Sequence, residues 1–381
     1  MILDESSAIY LIWLIEALGA GNAKINMVMD HFGMPENAYY ADAKELAKAG
    51  QLSVDDMEAL EKSRDLASAQ AILDKCRKED ISICTAYDDN YPERFQTIPN
   101  PPLLFFYKGN PIWDEAALNI AIVGSRRMTK YGYDCATKIA SELSDCGCTV
   151  VSGMADGVDA AAQTAVVKTG GKTIAFLGGG VDVIYPQSNF VLYYDIIENG
   201  CVISEFLPGE KNLPYHFQQR NRLLAGMSDG VLVVEAMKKS GTMITVKWAA
   251  EYNRDVFAVP GDITSPMSEG TNELIADGAK LTRNAMDILS EYGNLFSEVL
   301  EKKKFSPPEK PEVPDASDIK NVNAAAVIGA LKQGEYDPST LSEITNISIP
   351  DLILVLTDLQ IKGIITEKPG GILALSKGVL I

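Results

Sequence analysis

Hydrophobic positions change their period twice along the chain. In AIYLIWLIEAL and KELAKAGQLSVDDMEALEK the apolar residues recur at helical spacing, so residues 1–80 read as a helical domain. From 118 to about 290 short β-branched runs take over, namely NIAIVG, CTVVSGM, KTIAFLGG, CVISEF, GVLVVEA and DVFAVPG, separated by amphipathic segments of helix length. Strands that are apolar throughout are covered on both faces. Six of them alternating with helices predict an α/β fold, a Rossmann-like doubly wound parallel sheet, within a domain spanning 81–295. The stretch EKKKFSPPEKPEVPDASD has no period and is rich in proline and charge, which makes 296–320 a linker. Residues 321–381 return to helical spacing in VNAAAVIGALKQG, STLSEITN and IPDLILVLTDLQIKG and close on IITEKPGGILAL, a hairpin pattern. Three helices and a hairpin suggest a winged-helix-like domain.

Two features of the flanking domains bear on function. The turn ALGAGNAK in the N-terminal domain has the Gly-x-Gly spacing, Gly19 and Gly21, with which SAM/helix-hairpin-helix-like modules offer backbone N–H groups to phosphate. With one copy and one lysine, Lys24, backbone freedom at a structural turn is the simpler reading. In the C-terminal domain the last helix carries Asp351 and Asp358 and only Lys362 at its end. That sign of charge disfavours a major-groove reader and favours a protein contact or a structural cap.

Composition narrows the classes. The 381 residues carry 52 Asp and Glu against 34 Lys and Arg, a formal charge of -18, so wholesale attraction to nucleic acid or anionic membrane is disfavoured while a local basic patch is not. Asp4 and Glu5 stand where a signal peptide needs positive charge, and no apolar run reaches the ~20 residues of a membrane helix, so a cytoplasmic protein without membrane insertion is expected. Six cysteines form no CxxC pair, only His31 and His216 are available to join them, and neither a metal site nor a cofactor is expected. Cys146 and Cys148 read as reduced core thiols.

In a doubly wound sheet ligands collect at the carboxyl ends of the strands, where the strand order reverses. With the order 3-2-1-4-5-6, strands one and four adjoin that point and five lies beside them. The loops concerned are GSRRMTKYG, the segment entering HFQQRNR, and EAMKKSGTMIT, which bring Arg126, Arg127, Lys130, Arg220, Arg222, Lys238 and Lys239 towards one rim. Gly124 and Gly241 allow close backbone approach to a phosphate, and Ser125, Thr129, Ser240 and Thr242 add hydroxyls at helix N-termini. This is an anion site with guanidinium support, without the glycine spacing of a dinucleotide fingerprint or the Gly-Lys-Ser/Thr ending of a P-loop. For any one of these arginines the competing reading is a salt bridge to Glu205 or Glu235.

Aromatic rings refine the ligand. In LPYHFQQRNRLLAG, Tyr215 and Phe217 precede Arg220, Asn221 and Arg222, and a positive groove with rings suits single-stranded nucleic acid. Core packing is the competing role for Phe217. Catalytic residues are not expected: Asp156, Asp159, Glu205 and Glu235 are carboxylates with no sequence signal that any two converge, and Ser152 has no histidine obviously near it.

These segments also carry a resemblance. AIVGSRRMTKYG, VVSGMADGVDAAA, TIAFLGGGVDVIYPQSN, ISEFLPG, FQQRNRLLAGMSDGVLVVEAMKKSGTMIT and VFAVPGDITSPMSEGTNELIADGA together resemble the DNA-processing protein A (DprA, or Smf) family, densely from 91 to about 290 and more loosely at both ends. The resemblance implies a non-enzymatic recombination mediator that binds and protects incoming single-stranded DNA, commonly as a homodimer, and loads the RecA recombinase during natural transformation. It places the family's G-S/T-R-x-x-S phosphate motif on Gly124, Ser125, Arg126 and Thr129, and its F-x-x-R-N-R motif on Phe217, Arg220, Asn221 and Arg222. Asp156, Gln163 and Gln218 depart from the pattern, where Arg or Lys, His and Pro are common. The alternative is a nucleotide-binding or phosphoribohydrolase-type enzyme of the same Rossmann-like superfamily. Its motif glutamate is replaced here by Thr245, so that chemistry lacks its charged group.

Overall fold

The structure, a computed structural model, describes residues 5–49, 51–114, 118–293, 322–361, 364–368 and 371–375. The expected linker and Lys362 lie outside them. The chain divides into two compact units, Met1–Leu300 and Glu301–Ile381.

The first unit opens with six helices, α1 (Glu5–Leu18), α2 (Ala23–Phe32), α3 (Pro35–Tyr40), α4 (Ala43–Ala49), α5 (Val54–Lys62) and α6 (Ala67–Lys78). Leu11, Ile12, Trp13 and Leu14 of α1 are all fully buried, and the Trp13 indole N–H donates to the Leu60 carbonyl of α5 at 3.0 Å. The core they form continues into Leu104, Phe106, Ala175 and Val202 of the sheet, so these helices pack on the sheet. Gly19 and Gly21 both take positive φ, the role of a structural turn. A Cβ on Gly21 would collide with Gln219, whose amide donates to the Ala20 carbonyl, so the turn is docked against protein.

Lys24 is ion-paired with Asp56, and Ser53 and Asp56 close a capping box on α5. Hydrogen bonds from Lys24 and Ser53 hold the Asp56 carboxyl down at about 2, below its ordinary value. A depressed carboxylate contributes stability that is complete above its unfolded pKa and is lost as pH falls through the folded one. The expected result in thermal unfolding is therefore a loss of stability from about pH 4 down to about pH 2, and Asp56→Asn removes that step.

The sheet has nine strands in the order β1-β2-β6-β5-β4-β3-β7-β8-β9: β1 (Ser82–Thr85), β2 (Leu104–Gly109), β3 (Asn119–Val123), β4 (Thr149–Ser152), β5 (Thr173–Phe176), β6 (Gly200–Ser204), β7 (Gly230–Val233), β8 (Asp255–Ala258) and β9 (Lys280–Leu281). β3 to β9 run parallel, while β2 pairs antiparallel with β6 and β1 antiparallel with β2. The six expected strands are β3 to β8, and every residue of β3, β4, β5, β6 and β7 is buried, as double-sided cover requires. Between and around them lie α7 (Glu93–Gln96), α8 (Lys130–Asp145), α9 (Val158–Lys168), α10 (Phe190–Asn199), α11 (Pro214–Met227), α12 (Thr242–Glu251), α13 (Glu269–Ala276) and α14 (Ala285–Leu289).

Strand order differs from the expected 3-2-1-4-5-6. Counted over the same six strands it is 4-3-2-1-5-6, because the chain winds in one direction through β3, β4, β5 and β6 before it reverses. The fourth strand is thus far from the switch point, which lies between β3 and β7. The long crossover from β6 to β7 is made by α11, which returns across the sheet and delivers its side chains to that point.

The second unit has helices Val322–Leu331, Pro338–Thr345 and Ile349–Ile361 and an antiparallel hairpin, β10 (Ile365–Lys368) with β11 (Ile372–Leu375). Leu341, Leu352, Leu359, Ile365 and Leu373 fill its core. Asp337 caps the second helix by accepting from the Ser339 and Thr340 N–H groups. No single helix among the described residues is long and apolar enough to cross a membrane.

Candidate nucleic-acid interface

At the switch point the carboxyl ends of β3 and β7 open into a cleft of about 700 Å³. One wall is the loop after β3, with Gly124, Ser125, Arg126 and Arg127. The second is α11, with Phe217, Gln218, Arg220, Asn221 and Leu224. The third is the entry to α12, with Ser240, Gly241, Thr242 and Thr245, and Met237 and Met267 stand at the side.

Backbone bonds fix the first wall. The Ser125 N–H donates to the Glu235 carbonyl at 2.8 Å, the Ser125 carbonyl accepts from Val158 N–H at 3.2 Å, and the Ser125 hydroxyl accepts from Arg127 N–H at 3.1 Å. Gly157 sits at φ +84°, and a Cβ there would stand 2.2 Å from the Ser125 carbonyl oxygen. Gly157→Ala is expected to cost about 1–3 kcal/mol in urea unfolding, because backbone strain and a backbone clash coincide.

The second wall follows from helical geometry. Phe217, Arg220, Asn221 and Leu224 are spaced i, i+3, i+4 and i+7, one face of α11. Arg220 is 4% exposed and donates from Nη1 to the Phe176 carbonyl at 2.7 Å. Its guanidinium lies against Gly153, where a Cβ would stand 1.7 Å from Nη1. Burial pulls the Arg220 pKa down to about 10, with Asp159 opposing and Arg126 adding to the shift, so it stays cationic at neutral pH. Burial pushes the Asp159 carboxyl up against the pull of Arg220, and that carboxylate accepts from Gly153 N–H at 3.1 Å. Arg126 is exposed and stacks over the Phe217 ring at 4.8 Å, and the Tyr185 ring is tilted at 42° to that ring with centroids 5.7 Å apart. A narrow depression beside the cleft shares Arg126 and Phe217 with it and adds Asp156 and Tyr185.

Five of the expected site residues stand outside the cleft. Arg222 is 6% exposed and ion-paired at 2.5 Å with Glu205, itself 4% exposed, and it donates to the Asn100 carbonyl at 3.0 Å. Two positions from Arg220 on a helix, it faces the other way. Thr129 is the N-cap of α8: its hydroxyl accepts from Gly132 N–H and donates to Glu235 at 2.6 Å. Lys130 is paired with Asp134 on the open face of α8 at 2.5 Å, and Lys238 with Glu273 at 2.7 Å. Lys239 is exposed and does not line the cleft.

Asp159, Leu224, Met237 and Met267 line the cleft without having been singled out as ligand contacts. For Leu224 the i+7 spacing from Phe217 was the available signal, and Met267 comes from a long loop after β8 whose path no local pattern gives. The unusual Gln163 is buried and satisfied: its side chain accepts from Met154 N–H at 3.0 Å and donates to Thr173 and the Ile174 carbonyl. Asp156 is exposed and accepts from the Ser188 hydroxyl at 2.8 Å. No cluster of His, Cys, Asp and Glu suited to a metal occurs among the described residues.

The family model of DNA recombination-mediator protein A matches residues 82–293. The DNA processing protein DprA of Streptococcus pneumoniae is 43% identical over 205 residues, 54% of this chain and 72% of that protein. Its X-ray structure superposes with a TM-score of 0.67 at 35% identity, covering 74% of this chain and 97% of the solved one. A structure of Helicobacter pylori DNA processing protein A, reported for its single-stranded DNA binding mode, matches with a TM-score of 0.51 at 31% identity, covering 56% and 96%.

Proposed function

Because the chain belongs to the DNA recombination-mediator protein A family, we propose that its switch-point cleft binds single-stranded DNA and that the protein acts as a recombination mediator. The observation that carries this reading is the stacked pair at the mouth. Arg126 lies over Phe217 beside the buried cation Arg220, which joins a phosphate ligand to a base-stacking ring on one surface. The solved Helicobacter pylori relative, studied for single-stranded DNA binding, supports it. Phosphate meets Arg126, Arg127 and the backbone around Gly124 and Gly241, while Phe217 and Tyr185 meet bases. Protection of incoming DNA, loading of RecA during natural transformation and assembly as a homodimer, in the cytoplasm, complete the proposed role. Loading of a recombinase requires a protein surface besides the cleft.

Fluorescence anisotropy with a labelled oligothymidylate tests this reading. Affinity is expected to fall by about tenfold or more between about 50 and 200 mM salt, with little dependence on base sequence. Failure to bind the oligonucleotide at low salt would overturn it. The hydrolase alternative is tested by incubation with AMP: Thr245, buried at the position of the motif glutamate, offers no charged group, and release of free adenine would favour that alternative.

A further inference from the structure

The space beside Phe217 leads away from the cleft. The cleft shares Arg126 and Phe217 with the narrow depression next to it, and that depression shares Asp156 with a second groove of about 440 Å³ between α8 and α9. The three spaces adjoin in series. Tyr133, Thr137 and Ser141, at i, i+4 and i+8 of α8, form one wall of the groove, and Thr164 and Lys168 of α9 form the other.

This groove holds the parts that carry a single strand. The Tyr133 ring is 41% exposed, with the Lys130 ammonium over it at 5.0 Å, and Lys168 stands exposed in the last turn of α9. The 11 residues of α9 make a wall ~17 Å long, about five nucleotides at the ~3.4 Å spacing of a stacked strand. One charge opposes entry. Asp156 is exposed at the junction, and the Ser188 hydroxyl holds its carboxylate at 2.8 Å. A phosphate passing from Phe217 into the groove meets that carboxylate inside the ~8 Å over which an exposed charge acts at physiological salt.

Resting on the strand-binding reading, we propose that Asp156 sets how much of a single strand this protein holds. Its carboxylate stops the strand at the edge of the cleft and closes the α8–α9 groove to DNA. A basic side chain at 156 opens the groove, and the strand then continues past Tyr133 to Lys168. The occupant is the same polynucleotide that fills the cleft, because the groove is reached through the depression that Arg126 and Phe217 line.

The test is fluorescence anisotropy of the full chain with labelled oligothymidylates of about six and about twenty nucleotides, lengths that bracket single-strand site sizes of ~4–16. Asp156→Lys is expected to gain about tenfold more on the long oligonucleotide than on the short one, and its log–log salt slope on the long one steepens by about 1.4, two phosphates at ~0.7 each. Asp156→Asn, which keeps an acceptor for Ser188, falls between that variant and the native chain. Adding Lys168→Glu to Asp156→Lys removes the extra gain, whereas Lys168→Glu alone changes neither affinity by more than about twofold, since native DNA does not reach it. Equal gains at both lengths would reduce Asp156 to a local charge on the cleft and overturn the proposal. A long-oligonucleotide gain that survives Lys168→Glu, or a marked loss of native binding in Lys168→Glu alone, would overturn it as well. Native binding without any length-dependent gain in Asp156→Lys defeats the proposal and leaves the strand-binding reading standing; a native chain that binds neither oligonucleotide at low salt defeats both.

Discussion

Replacing Glu205 by alanine is expected to lower the unfolding free energy of the first unit by about 3–5 kcal/mol, the cost of leaving a buried charge without its partner. Glu205 and Arg222 are both almost fully buried and meet at 2.5 Å. Arg222 Nε has no partner among the described residues, so Glu205 and the Asn100 carbonyl are the acceptors that justify burying that guanidinium. The pair fixes the face of α11 opposite the cleft, next to the docked turn at Gly21. Burial pushes the Glu205 carboxyl up and Arg222 opposes it. Urea unfolding of Glu205→Ala, Arg222→Met and the double variant Glu205→Leu with Arg222→Met measures the effect. The double variant should recover most of the loss, since well-packed apolar groups replace a buried ion pair at little cost.

Arg126→Glu is expected to weaken single-stranded DNA binding by more than about tenfold and to flatten its salt dependence by about one unit of log–log slope. The site chosen is exposed, so the fold is retained. The substitution reverses the charge at the cleft mouth and removes the guanidinium from the face of Phe217. Arg126→Lys keeps the charge and loses the planar stack, and should fall between the two. Lys238→Glu provides the contrast, because that lysine is paired with Glu273 outside the cleft and its reversal should change affinity far less. Anisotropy titrations at two salt concentrations check all three.

The buried strands and the basic loops were legible because each is a local signal. Apolar runs of a few residues identify β3 to β8, and GSRR after the first of them marks the loop that forms one cleft wall. The antiparallel strands β1 and β2 were not, since four and six residues without alternation carry no distinctive period. Strand order is a tertiary property, and the wrong order put the fourth strand at the switch point. The site survived that error because α11, the connection from the fourth strand to the fifth, crosses to the same place.

The two arginines of RNR show the limit of counting charges. Once that segment is a helix, Arg220 and Arg222 are about 200° apart around its axis. One enters the cleft and the other the core. Charge pattern alone treats them alike, whereas helical phase with Phe217 and Leu224 separates them. The same reasoning applies to Thr129, where a cap position decides the role of the hydroxyl before any ligand does.

The most direct measurement is photochemical crosslinking of the full chain to an oligonucleotide carrying 5-iodo-deoxyuridine, followed by mass-spectrometric mapping of the adducts. The cleft account predicts adducts on the aromatic residues at its mouth, Phe217 and Tyr185, lost in Arg126→Glu. Adducts confined to other surfaces, such as Tyr336 in the second unit, and unchanged in that variant, would contradict it.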